Sequence, residues 1–188
     1  MRSLPASPEG SPRPRAEVRV RALAEGDSVA DLTALLHRGY ARLAAMGLNY
    51  TAVDQDDVVT RRRAERGTCL VAEIDGRIVG TLCVHGPDER SPHARYREPG
   101  IAVLEQFAVE PSLQGRGVGN ALMDEAEARA RAQGAREAIG DTAEPAKHLI
   151  DWYLRRGYRV VGTTQWSGKV YRSVVLSKPL AVGGAPTS

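Results

Sequence analysis

Two apolar runs, TCLVAEI at 68–74 and RIVGTLCV at 77–84, flank the dipeptide Asp75-Gly76. An Asp-Gly pair tolerates the positive φ angles of a type I′ turn, whose twist matches that of paired strands. The segment reads as a β-hairpin, so the fold must contain antiparallel sheet. A two-residue turn pairs Ile74 with Arg77. Continued without interruption, that register sets Cys69 opposite Leu82 and turns Cys83 to the other face. On this reading the chain's two cysteines do not form a disulfide and serve as core residues.

Helical and strand periodicities alternate around the hairpin. Glu17 to Arg21 alternates as a half-buried strand, with Val18 and Val20 on one side. A helix follows, capped by Asp27 or Ser28, with Val29, Leu32, Leu36 and Leu43 at helical spacing and Gly47 as its stop. A second helix is expected over 54–66, its acidic start and triple-Arg end both suiting the helix dipole. A charged, Pro-containing loop covers 86–100, and Ile101 to Val109 is a strand. A long helix over 117–133, a strand near 136–140 and a helix over 145–156 come next, then two strands near 158–164 and 169–177. The order βααβββαβαββ argues for an α+β, or mixed α/β, sandwich and against a doubly wound parallel sheet. The Pro-rich residues 1–15 read as a disordered tail, residues 16–180 as one domain and residues 181–188 as a flexible tail.

Composition narrows the function classes. The net charge of +3 is scattered along the chain, whereas a nucleic-acid partner calls for a clustered basic stripe. No apolar run has the length of a membrane span, and none resembles a signal peptide, so a cytoplasmic location is expected with no membrane partner. His37, His85, His93 and His148 form no metal pattern, so no metal is expected, and His85 and His93 read as solvated.

The chemistry concentrates in LEQFAVEPSLQGRGVGNALMDEAEARARAQG, residues 104–134. A strand ends at Pro111, and a turn holding Gly115, Gly117 and Gly119 opens directly into a helix. Glycines let backbone approach a ligand closely, and free N–H groups at a helix start attract anions. The segment is either a phosphate or pyrophosphate cradle, to which Arg116 can add charge, or a plain flexible connection. It has no Gly-Lys-Ser/Thr and no GxGxxG spacing, which sets aside a Walker loop and a Rossmann site.

The run Gln114-Gly115-Arg116-Gly117-Val118-Gly119 resembles the Q/R-x-x-G-x-G/A signature of the GNAT superfamily of N-acetyltransferases. It follows a strand reading FAVEP, and LIDWYLRRGY at 149–158 resembles the family's aromatic-Tyr-x-x-x-Gly-aromatic helix segment. The resemblance spans residues 17 to about 178. It implies a central, mostly antiparallel sheet that splays after the strand at 101–109, with acetyl-CoA as cosubstrate in the gap. Phe107, Ala108 and Val109 are then expected to contact the pantetheine, and Gln114 to Gly119, with Asn120, to hold the pyrophosphate. The family often carries Asn seven residues before the helix tyrosine. Here that position is Ala146, beside Lys147, so one coenzyme contact is expected to be missing.

The activity implied is direct transfer of acetyl to a primary amine in a ternary complex. The alternatives are another acyl-CoA donor, or an acyl-CoA sensor without catalysis. Transfer requires a base for an amine of pKa about 10 and benefits from an acid for a thiolate of parent pKa about 8.5. The resemblance offers Tyr153 as the acid; packing beside Trp152 is its other reading. It offers Glu105 as the base, on one face with Phe107 and Val109 if the strand alternates, and with Gln106 pointing away; a surface Glu is the alternative. Asn49, Tyr50 and Trp166 are the candidate acceptor contacts, Tyr40 and Tyr171 adding to a pocket unless they are ordinary packing. The acceptor is an amine-bearing small molecule or a protein amine. A homodimer through the exposed sheet is compatible with the pattern, though no residue calls for it.

Overall fold

The computed structural model describes residues 17–180; the two expected tails lie outside them. Seven strands form one sheet: β1 (Arg19–Ala22), β2 (Thr68–Ile74), β3 (Arg77–His85), β4 (Ile101–Val109), β5 (Glu137–Ala143), β6 (Arg159–Thr164) and β7 (Ser173–Pro179). Their spatial order is β1-β2-β3-β4-β5-β7-β6, and only β4 and β5 run parallel. The mixed, mostly antiparallel α+β sheet matches the expectation.

Five α-helices cover its two faces: α1 (Val29–Ala45), α2 (Thr51–Asp54), α3 (Asp57–Ala64), α4 (Val118–Ala132) and α5 (Lys147–Arg155). Ser28 Oγ caps α1 by accepting from the Asp31 N–H at 3.1 Å, and Gly47, at φ +78°, follows its end. Leu32 and Leu35 of α1 and Ala64 of α3 pack with Cys69, Val71 and Cys83 on one face. On the other, Val118, Leu122, Met123 and Ala126 of α4, with Ile150 and Tyr153 of α5, pack against Leu70, Leu82 and Leu104.

The helix expected over 54–66 is α3, begun three residues later at Asp57, and a separate one-turn helix, α2, precedes it. Gln55 and Asp56 adopt extended backbone, and Asp56 caps α3 by accepting from the Val59 N–H at 2.8 Å. The break buries the Gln55 side chain, whose amide donates to Thr60 Oγ1 (2.7 Å) and to Gln106 Oε1 (2.8 Å). A continuous helix would forfeit that cap and those bonds.

Two bulges correct the expected registers. Ile74 does pair with Arg77, but Glu73 pairs with Ile78 and Ala72 with Gly80, which leaves Val79 as an extra residue on β3. The shift by one sets Cys69 opposite Cys83, on the same buried face, instead of opposite Leu82. Both remain free thiols; the hydrogen bond with Cys69, together with burial, pushes the Cys83 thiol up. A second bulge lies on β4, where Cys83 pairs with Glu105 but Thr81 pairs with Ala108, and Gln106 takes φ +54°. Glu105 and Gln106 therefore face α3 together. Phe107 faces the opposite way, toward Gly119 and Trp152, so the expected grouping of Glu105 with Phe107 and Val109 does not hold.

β4 and β5 pair only through Ile101–Glu137, Ala102–Ala138 and Val103–Ile139. Beyond Val103 the strands diverge, and β5 continues to Ala143, three residues past its expected end. This splay opens the middle of the sheet.

Gly67 precedes β2 at a point of close backbone contact. A Cβ there would lie 2.4 Å from the Val84 carbonyl oxygen and 2.7 Å from His85 Cβ. Gly67→Ala is expected to cost about 2 kcal/mol, or about 4–8 °C in Tm, by overpacking. Gly26→Ala, which meets nothing within 4 Å, should leave Tm within about 2 °C. Thermal unfolding of both variants checks the contrast.

Candidate active site

The cleft entered through the splay has a volume of about 430 Å³. Phe107, Ala108 and Val109 of β4 form one wall, Asp141 and Thr142 of β5 the other. Gln114, Gly115, Gly117, Gly119 and Asn120 line it where α4 begins, and Tyr40 of α1, Tyr50, and Trp152 and Tyr153 of α5 complete it.

The cradle is built as its glycines require. Gly115 and Gly117 have φ of +74° and +95°, and a Cβ on either would meet nothing within 4 Å, so both present open backbone. Gly117 caps α4 without a side-chain acceptor. The helix's first turn bond runs from the Ala121 N–H to the Gly117 carbonyl, which leaves the N–H groups of Val118, Gly119 and Asn120 without intrahelical acceptors. Gly119 is tight: a Cβ would lie 3.1 Å from the Phe107 ring. Gln114 donates from Nε2 to the Val109 carbonyl at 3.2 Å, tying the turn to the strand end.

Ten residues are expected at the coenzyme site, and eight of them line the cleft. Arg116 and Val118 do not: Val118 is buried beneath α4, and the Arg116 N–H closes a turn onto Leu113. Asn120 accepts from Arg156 at 3.1 Å. Arg42, His148 and Arg155 add basic groups to the lining that periodicity alone does not single out. Burial lowers the His148 pKa, and Arg42 adds to the effect. Ala146 is fully buried, clustered with Leu43, Leu48 and Tyr171.

Tyr153 lies between Trp152 and Tyr158, with ring centroids at 5.1 and 5.3 Å. Burial pushes its hydroxyl well above the ordinary tyrosine range, and Tyr40 and Asp141 push the same way. The hydroxyl is therefore protonated at any working pH.

Glu105 is placed differently from its expected setting. Its Oε2 accepts from Arg63 at 3.0 Å and has Arg66 at 3.5 Å. Its Oε1 lies 3.8 Å from His85 Nε2, and neither atom has a hydrogen-bond partner among the described residues. His85, expected to be solvated, is buried; burial lowers its pKa against the opposing pull of Glu105. His93 packs edge-on against Tyr96 and near Trp166 and is not free in solvent either. Glu105 is not among the residues lining the cleft.

The acceptor candidates divide. Tyr50 lines the cleft, its hydroxyl bonded to Thr142 Oγ1 (2.8 Å) and accepting from the Ala143 N–H (2.6 Å). Tyr40 and Tyr171 flank it, with centroids at 5.4 and 4.9 Å. Asn49 spends its amide on the turn between β6 and β7, donating to the Gly168 carbonyl and accepting from the Val170 N–H. Trp166 donates from Nε1 to Asp141 Oδ2 at 2.9 Å, while the Tyr96 hydroxyl donates to Oδ1 at 2.9 Å. Asp141 is the carboxylate that the expected strand end at 140 leaves out.

A larger surface depression of about 920 Å³ lies between the hairpin turn and the start of α1. Among its charges, Arg21 pairs with Asp27 and Glu73, and Arg38 with Glu110. No group of three or more metal-ligating side chains occurs among the described residues, and none of their helices is long and apolar enough to cross a membrane.

The model of the acetyltransferase (GNAT) family matches residues 34–158, two thirds of the chain. The chain belongs to that family. This acetyltransferase is similar to two curated proteins of Bacillus subtilis (strain 168). It is 28% identical to S-(2-succino)cysteine N-acetyltransferase over 86% of its own length and 96% of the relative's. It is 22% identical to S-alkylcysteine N-acetyltransferase over 79% of its length and 83% of the relative's. Its fold matches that of a GNAT acetyltransferase from Elizabethkingia anophelis with acetyl-CoA bound, at a TM-score of 0.62 and 13% identity, covering 87% of this chain and 98% of the other. The acetyltransferase is thus an acyl-CoA-dependent N-acyltransferase that uses acetyl-CoA as cosubstrate to modify an amine.

Proposed function

We propose that this enzyme acetylates the α-amine of a small amino acid of the S-substituted cysteine type. The observation that carries the reading is similarity to two such acetyltransferases, one over 96% of its length. The rings of Tyr40 and Tyr50 in the cleft lining support it, since thioether sulfur packs favourably against aromatic rings. The basic and glycine-lined part of the cleft receives the diphosphate of the coenzyme, and Phe107 to Val109 receive its pantetheine arm. Tyr153 gives a proton to the departing sulfur. Glu105, which family resemblance offers as base, is held by Arg63 and Arg66 outside the cleft lining and is left out of the proton path. The two free thiols fit a reducing compartment, the cytoplasm.

Thiol release from acetyl-CoA, measured with S-(2-succino)cysteine, S-ethylcysteine and a peptide with a free N-terminal alanine, tests the acceptor. The expected result is a kcat/KM at least tenfold higher for one of the cysteine derivatives than for the peptide, a difference of about 1.4 kcal/mol in the transition state. Preference for the peptide would overturn the reading in favour of a protein amine.

A further inference from the structure

We propose that Asp141 holds the acceptor's ammonium group and takes up the proton its nitrogen releases as the amide forms. This rests on the N-acetyltransferase reading but not on which amine is the acceptor.

Four observations converge on this residue. Among the described residues, Asp141 is the one carboxylate lining the cleft, whose other charged or titratable groups include the basic Arg42, Arg155 and His148. A cationic amine entering such a lining has a single anionic partner. Asp141 also lies on β5 just past its last pairing with β4, so its position belongs to the splay and not to the closed sheet. Its two oxygens are each aimed by one neutral donor, Tyr96 Oη and Trp166 Nε1, both at 2.9 Å. Each oxygen keeps a free lone pair, and no lysine or arginine pairs with it among the described residues. Finally, its field raises the hydroxyls of Tyr40, Tyr50, Tyr153 and Tyr171, which places it among the acceptor wall and the proposed acid. Glu105, by contrast, is held by two guanidiniums outside that lining.

The step balances as follows. The ammonium loses one proton to solvent, and the free amine's lone pair forms the N–C bond to the acetyl carbonyl carbon. The nitrogen is then cationic, and Asp141 accepts one of its protons. The C–S bond breaks with its electron pair going to sulfur, which is protonated from Tyr153. Solvent removes the proton from Asp141 and restores that of Tyr153. No redox partner is required.

Asp141→Asn preserves shape and can keep both neighbours satisfied: its oxygen accepts from Trp166 and its amide donates to the Tyr96 hydroxyl. The chain has two tryptophans, so the indole N–H of Trp166 is one of two such signals in a nitrogen-15 spectrum and is assigned with Trp166→Phe. In the CoA-bound wild type, n-butylammonium is expected to shift that signal saturably, and in Asp141→Asn the shift is lost. The same variant is expected to lose about a hundredfold in kcat/KM for the amine with acetyl-CoA affinity within twofold, while Glu105→Gln changes turnover by less than about threefold. Failure of the cysteine derivatives while n-butylamine is acetylated in an Asp141-dependent way would sink only the acceptor reading and support this one. A retained n-butylammonium shift in Asp141→Asn, wild-type turnover in that variant, or a hundredfold loss carried by Glu105→Gln would overturn it.

Discussion

Replacing Gly117 by glutamate is expected to weaken acetyl-CoA binding beyond detection, at least a hundredfold, with only a modest loss of stability. The residue sits at φ +95°, where any L side chain carries strain of about 1–2 kcal/mol, and it caps α4 beside the free N–H groups of the helix start. Nothing lies within 4 Å of its would-be Cβ, so the side chain enters the cleft without displacing protein. There it sets a carboxylate against the place of an incoming diphosphate and competes for the same N–H donors. Gly117→Ala carries the backbone strain without the charge. Both variants should therefore lose about 2–8 °C in Tm, while calorimetry with acetyl-CoA finds binding abolished only in the glutamate variant. Equal affinity in wild type and Gly117→Glu would mean that the diphosphate lies elsewhere on the protein.

The glycine turn that opens α4 is legible in the sequence because its backbone geometry is local. Positive φ at Gly115 and Gly117 and a helix opening on bare N–H groups are demands that only glycine meets well, and they follow one another within six residues. The Asp75-Gly76 turn is legible for the same reason. The bulges are not. Val79, extra on β3, accepts from the Glu110 N–H at 2.8 Å, a contact between residues 31 apart that no local pattern encodes. Missing it turned Cys83 to the wrong face. The bulge at Gln106 likewise separated Glu105 from Phe107, so strict alternation assigned the carboxylate to a wall it does not form.

Asp141 escaped for a different reason. The run EAIGDTA loses strand propensity at Gly140-Asp141, and read alone the strand stops there. In the fold, β7 carries β5 onward through Asp141–Val175, Thr142–Val174 and Ala143–Ser173 after β4 has departed. A charged residue continuing a buried strand was the available signal; its meaning depended on a partner more than thirty residues later. Asn49 shows the converse. A polar residue in the link after α1 suggests a ligand contact, yet both ends of its amide are committed to the backbone of the turn between β6 and β7. It braces the acceptor wall without offering a free group to it.

Replacing Tyr153 by phenylalanine is expected to lower kcat by about 10²–10³ while leaving acetyl-CoA affinity within about twofold. Phenylalanine keeps the ring contacts with Trp152 and Tyr158, and among the described residues no hydrogen bond supports the hydroxyl that is lost, so Tm should move by less than about 2 °C. What disappears is the proton for the departing sulfur, a thiolate of parent pKa about 8.5 that otherwise leaves uncompensated in a buried site. The direction of the Tyr153 shift also fixes a pH signature. An acid must hold its proton to act, and activity would fall as pH rose through its pKa. Burial moves that pKa upward from 10, so Tyr153 stays protonated throughout pH 7–10. Over that range the wild-type rate at low amine concentration should climb with the free-amine fraction and show no descending limb. A descending limb centred below pH 10 would assign the acid to another group. Wild-type kcat in Tyr153→Phe would show that sulfur departs without this proton and that Tyr153 is a wall of the cleft alone.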